Sequence, residues 1–240
     1  FFLSAARMMR DEGDLRETGD RWVVGRLKYS ELQTQNSELR VVPVAQFLPV
    51  LRFTNNTSWN ERPMKIAIIG GGPAGLMAAE AACGTGAQVE LYDAVASVGR
   101  KFLLAGKGGL NLTHSEPSEK FLSRYGARRA QIAPLLAPFG PDVLRAWAKG
   151  LGIETFVGSS GRVFPKDLKA APLLRSWLRR LRKAGIQFHI RHRWIGWDVQ
   201  GALLFNTPDG NRSVQADAVV LALGGGSWPK LGSDASWVPL

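Results

Sequence analysis

The apolar run Lys65-Ile66-Ala67-Ile68-Ile69 passes directly into Gly70-Gly71-Gly72-Pro73-Ala74-Gly75, and a stretch rich in alanine, leucine and methionine follows at once. Few folds accommodate that succession. A short apolar segment ending in glycines and opening a helical pattern is a strand–turn–helix unit. Each residue of the turn has a physical task. Gly70 allows the sharp turn out of the strand, Gly72 lets backbone come close to a diphosphate, and Gly75 lets the helix lie tight on its sheet. Pro73 suits the first helical position, where its missing N–H costs little. The N–H groups at Ala74 and its neighbours lack partners inside the helix and point at the phosphates, whose charge the helix dipole favours.

The context extends beyond the turn. Pro73 to Thr85 reads as a helix closed by Gly84 and Gly86, with Ala79 and Gly86 small where the helix approaches the sheet. Gln88 to Tyr92 reads as the next strand, and Asp93 follows at its end. An acid at that distance is where an adenosine ribose is held, and its charge disfavours a 2′-phosphate there.

Further on, Ala94 to Ser118 reads as a long glycine-punctuated loop around Lys107, followed by helices over Glu119 to Tyr125 and Ala127 to Gly150. Short extended pieces flank Gly158 to Gly161. Leu168 to Ala184 is an amphipathic helix: Leu173, Leu174, Trp177, Leu178 and Leu181 form its apolar stripe, and Arg175, Arg179, Arg180, Arg182 and Lys183 fill the other side. Strands over Ile186 to Ile190, Trp194 to Val199, Leu203 to Asn206 and Ser213 to Gln215 come next. Ala218 to Leu223 is apolar throughout, as in a strand buried on both faces. This order predicts an α/β domain with a parallel sheet and an antiparallel meander crossover.

Residues 1–63 read differently: acidic clusters, polar runs, and strand character only within Val41 to Phe53. A Met-Lys pair follows Pro63 directly before the first strong strand. The expectation is a poorly structured leader or upstream segment over 1–63 and a dinucleotide-binding domain over 64–240.

Composition narrows the chemistry. The net charge is +11. Residues 64–240 hold 22 basic against 12 acidic side chains, a field that favours anionic partners without selecting one. A single cysteine, Cys83, leaves no thiol metal cluster or disulfide framework, which fits a reducing, cytoplasmic setting. His114, His189 and His192 lack metal-ligand spacing, so no metal site is expected. No stretch reads as a membrane span or a signal peptide, and no reader motif for specific nucleic acid is present.

Three further segments carry a family resemblance: Gly99 to Thr113 (GRKFLLAGKGGLNLT), Gly161 to Pro165 (GRVFP) and Gly224 to Pro229 (GGGSWP) with Gly232-Ser233. With the glycine turn they make residues 64–240 resemble the N-terminal part of the BaiN-like family of NAD(P)/FAD-dependent flavoproteins. The resemblance implies a Rossmann-like FAD domain, C-terminally incomplete, and an oxidoreductase passing a hydride between a nicotinamide cofactor or organic donor and a small organic acceptor. The alternative is a non-catalytic nucleotide-binding fragment of such an enzyme. It assigns FAD to Gly70, Gly72, Pro73, Ala74, Gly75, Asp93, Arg100, Lys101, Gly108, Asn111 and Gly224. Gly109-Leu110 stands where many relatives carry Arg-Cys, so no thiol step is expected. Catalytic residues, substrate and oligomeric state are not assigned.

Overall fold

The computed structural model describes residues 62–226, positions 235 and 237, and the backbone of two short strands, β1 (Arg21–Val24) and β2 (Leu39–Val42). Of the leader expected over residues 1–63 only those strands, Arg62 and Pro63 are described. β1 lies outside the expected strand character, and β2 overlaps the start of the Val41 to Phe53 stretch. Ser227 to Pro229 and Gly232-Ser233 of the last family segment lie outside the described residues. The chain divides into two units: one holds residues 10–100 and 181–240, and the other holds Lys101–Arg180.

The first unit is built on a parallel sheet. β3 (Lys65–Ile69) leads through α1 (Pro73–Ala82) to β4 (Gln88–Asp93). β8 (Gln187–Ile190) and β12 (Ala218–Leu221) complete the central four strands, in the order β12-β3-β4-β8, and β1 and β2 extend the sheet beyond β12. Every pairing is parallel, with Ile66 level with Val89 on one side and with Ala218 on the other. Between β8 and β12 the chain forms the expected meander, β9 (Arg193–Trp197), β10 (Leu203–Thr207) and β11 (Gly210–Val214), a separate antiparallel sheet.

Alternation along β3 explains the layering. Ala67 and Ile69 face the meander and join Tyr92, Trp194, Phe205 and Val219 in one apolar cluster. Ile66 and Ile68, fully buried, take the other face, and α1 packs against β3, β4 and β12. Tyr92 stacks on Phe205 at 4.4 Å between ring centroids and on His189 at 4.6 Å.

β4 carries a polar exception. Glu90 is buried, accepts hydrogen bonds from the Tyr92 hydroxyl and from Gln88 Nε2 (2.9 Å), and lies 3.0 Å from Lys65 Nζ. Burial alone raises its pKa, but the bonds from Tyr92 and Lys65 outweigh that and hold it below the usual carboxylate value. Burial and the same Glu90 contact drive the Tyr92 phenol upward, and burial lowers His189.

The second unit holds α2 (Arg100–Ala105, beginning one residue earlier), β5 (Thr113–His114), α3 (Ser118–Ser123), a 3-10 turn at Gly126–Arg128, α4 (Arg129–Leu136), α5 (Pro141–Gly150), β6 (Thr155–Val157), β7 (Arg162–Pro165) and most of α6 (Ala170–Lys183). Two expectations change here. The long loop from Ala94 to Ser118 contains α2 and β5. The helix expected over Ala127 to Gly150 is two helices, parted where Pro138 and Gly140 precede the Pro141 start of α5. Of the apolar stripe of α6, Leu173, Leu174, Trp177 and Leu181 are buried and Leu178 half-buried, while Arg180, read on the polar side, is half-buried over the Trp147 ring. Trp177 meets Trp147 of α5 edge-on at 4.9 Å.

Candidate functional site

The glycine turn sits where β3, β4 and β12 end together. Gly70 has φ +109°, donates its N–H to Tyr92 O at 2.7 Å, and faces the carbonyl of Ala222 so closely that a Cβ there would stand 2.4 Å from that oxygen. Only glycine adopts that turn beside that neighbour. Gly71 donates to Asp93 Oδ2 at 2.6 Å and accepts from Gly99 N at 2.8 Å. A Cβ on Gly71 would meet Val98 Cγ1 at 2.4 Å, and one on Gly75 would meet Gly70 O at 1.8 Å. These three glycines are demanded by the protein's own packing.

Gly72 is different. Its backbone is extended (φ −79°, ψ −177°), and a Cβ there would meet nothing within 4 Å. It caps α1 without a side-chain hydrogen bond, and Pro73 occupies the first turn. The N–H groups of Ala74 and Gly75 fall in the first turn, where a helix offers them no acceptor, and Ala74 is exposed. The first turn carries no acid to neutralise the dipole. An open glycine before unpartnered N–H groups at a helix start is a cradle that a side chain would fill, and its chemistry is that of a phosphate seat.

Asp93 does more than its sequence position suggests. Oδ2 accepts from Gly71 N, and Oδ1 accepts from Val95 N at 2.9 Å. Burial raises its pKa, while those two backbone bonds and the charges of Arg100 and Arg193 pull the other way. Both oxygens therefore brace the turn, and each keeps a further lone pair for another donor. Arg100 is exposed at the start of α2, and Gly224, with φ +77°, follows β12 two residues after Ala222.

Three of the expected residues lie in the second unit. Lys101 is half-buried, and burial lowers its pKa. Gly108 is exposed with open space around its α-carbon, and Asn111 Nδ2 is buried without a hydrogen-bond partner. The Thr113 hydroxyl two residues on is likewise buried and unpartnered.

Several working residues were not legible. Gly71, Val98, Gly99 and Ala222 shape the turn through contacts that spacing does not reveal. Gly86 serves by its left-handed backbone (φ +81°) and not by close packing, since a Cβ there would meet nothing. His114 is structural: Nδ1 accepts from Glu116 N and Nε2 lies 3.0 Å from Ser160 O. Among the described residues no group of His, Cys, Asp or Glu could hold a metal ion, and no helix is long and apolar enough to cross a membrane.

The chain resembles several solved structures. A flavocytochrome c3 fumarate reductase matches with TM-score 0.53 at 19% identity, over 69% of this chain and 34% of that one. THI4 of Thermovibrio ammonificans matches with TM-score 0.44 at 18% identity, over 71% and 61%. A 3-ketosteroid-delta4-(5alpha)-dehydrogenase of Rhodococcus jostii RHA1 matches with TM-score 0.44 at 16% identity, over 71% and 48%. The chain thus spans from about a third to three fifths of their lengths. At such identities the first likeness speaks for the fold alone. None of the curated proteins matches this chain. The HI0933-like protein Rossmann domain matches residues 64–240, from just before β3 to the last residue, and so takes in the glycine turn, the meander and β12. The chain belongs to the HI0933-like Rossmann domain family.

Proposed function

We propose that this chain is the FAD-binding part of a flavoprotein oxidoreductase that passes a hydride to or from a small organic molecule. The observation that carries the reading is Gly72: an open α-carbon and a bare helix start beside three glycines held by packing. The flavin supplies hydride acceptance and donation when bound. The protein's share is positional. The Gly72, Ala74 and Gly75 backbone holds the diphosphate, Asp93 accepts from the ribose while bracing the turn, and Arg100 balances phosphate charge. Lys101, Gly108, Asn111 and Gly224 are assigned to the same cofactor by resemblance to BaiN-like proteins. The unpartnered Asn111 amide is consistent with a ligand contact. NAD(P)H or an organic compound is the proposed donor, and a cytoplasmic setting the proposed location.

A second reading is a nucleotide-binding unit without turnover of its own. The open α-carbon at Gly72 serves such a unit equally well, because it concerns the diphosphate and not the reacting ring.

Both readings meet one test: an absorption spectrum of the purified chain, with mass spectrometry of what heat releases. Released FAD supports the cofactor, and reduction by NADH or NADPH with turnover then favours the enzyme. A chain that binds neither FAD nor ADP on titration would sink both.

A further inference from the structure

We propose that the exposed ridge of α6 binds the phosphate backbone of nucleic acid without reading its sequence. Arg175, Arg179 and Lys183 stand at successive i, i+4 positions, so they form one stripe along the helix, and all three are exposed. Arg182 is exposed beside them. The C-terminal end of α5 adds Lys149, whose neighbour Gly150 lies 3.8 Å from Arg180 Nη1 when a Cβ is placed on it.

The charge is uncompensated. α6 contains no acidic residue, and among the described residues neither Arg175, Arg179 nor Lys183 has an ion-pair partner. The acids of the second unit are few: residues 101–180 hold 5 against 14 basic side chains, and Glu116, Glu119 and Glu154 are already paired with Arg124, Arg129 and Lys166. Like charges at i, i+4 destabilise a helix. The dipole offsets that only in the last turn, which covers Lys183 but not Arg175 or Arg179. The stripe costs the fold stability, and an anion is what it is shaped to meet.

The kind of anion follows from what the ridge lacks. A stable protein interface needs apolar anchors at its centre, but Trp177, Leu173 and Leu181 are buried in the core and Trp147 lies beneath Arg180. A membrane-surface helix must offer an apolar face to lipid, and this helix has spent its apolar face inward. Phosphodiester backbone requires only closely spaced cations, and arginine forks suit its oxygens. The exposed positions carry no amide or carboxylate to discriminate bases.

The test uses the full chain and a fluorescently labelled duplex of arbitrary sequence, with binding read by anisotropy. Three neutralised phosphates give a log–log salt slope near −2.7, so affinity should fall roughly 40-fold between 50 and 200 mM salt. The triple variant Arg175→Ala, Arg179→Ala, Lys183→Ala should lose that binding and flatten the slope. Its thermal midpoint should hold or rise, since alanine relieves repulsion in a helix. FAD retention should not change, which keeps this result separate from the flavoprotein reading. Unaltered duplex affinity in the triple variant would overturn the proposal. So would tighter binding of polyglutamate or of phosphatidylglycerol vesicles at matched charge, which would reassign the ridge to a protein or a membrane.

Discussion

Two glycine-rich segments of the chain, Gly70 to Gly75 and Gly106 to Gly109, are built on different principles. In Gly70 to Gly75, three of four glycines are crowded: Gly70 and Gly75 by the backbone carbonyls of Ala222 and Gly70, and Gly71 by the side chains of Val98, in the turn before α2, and Asp93, at the end of β4. In Gly106 to Gly109 only Gly106 is crowded, where a Cβ would stand 2.5 Å from the Ala170 methyl, while Gly109 supplies a left-handed turn (φ +111°) on which a Cβ would lie 3.9 Å from the Phe164 ring. Both segments keep one open position, Gly72 in the first and Gly108 in the second. In the first segment Gly70 and Gly75 are held by backbone carbonyls, whereas in the second the one crowded glycine meets a single methyl at the start of a helix.

The sharpest way to break that contrast is Gly75→Ala. A methyl 1.8 Å from a carbonyl has nowhere to go, so chemical denaturation should show a loss of about 3 kcal/mol or an unfolded product. A loss under about 1 kcal/mol would mean the turn is not braced by the sheet. Gly72→Ala should do the reverse. Stability should stay within about 0.5 kcal/mol of the parent, while FAD affinity, read by flavin fluorescence quenching, falls by about 100-fold, equivalent to about 2.7 kcal/mol. Retained stoichiometric flavin would remove the diphosphate from this loop.

Glu90→Gln asks whether the rigidity originates inside the sheet. Glu90 titrates below its ordinary value in the folded chain, so its contribution is present above the unfolded carboxylate pKa and is lost as pH falls through the folded one. The parent should exceed the variant by about 2 kcal/mol at pH 7, and urea midpoints should converge as pH drops below about 4. A gap independent of pH would assign the effect to packing. Gly106→Ala should cost about 1–2 kcal/mol, since one added methyl overpacks the Ala170 methyl. Gly108→Ala is the smallest change: stability within about 0.5 kcal/mol, with any loss confined to FAD binding.

The strand–turn–helix unit, the place of Asp93 at the end of β4 and the meander were legible because each is local: periodicity and glycine spacing fall within one stretch of chain. The apolar stripe of α6 was legible for the same reason. What escaped notice is set by contacts distant in sequence. Nothing near Gly70 announces that Ala222 will stand against it, and nothing near Asp93 announces that each of its oxygens will accept a backbone N–H. Glu90 sits among Val89, Leu91 and Tyr92 in an apparently ordinary alternating strand, and only the assembled sheet brings Lys65 to it. Inside Ala94 to Ser118 the glycines masked α2, whose six residues are too few to show a period.

The brace at Ala222 also has a bearing on the order of events during synthesis. Gly70 and its helix leave the ribosome early, but their third strand, entered where Lys65 N–H meets the Asp217 carboxylate, lies 152 positions downstream. Contacts that far apart close slowly. Until they close, the turn has Tyr92 and Asp93 to lean on but no wall on the β12 side. The turn from Gly70 to Gly75 is therefore among the last parts of the molecule to take its final shape, and capture of the proposed nucleotide should report the completion of folding rather than assist its beginning.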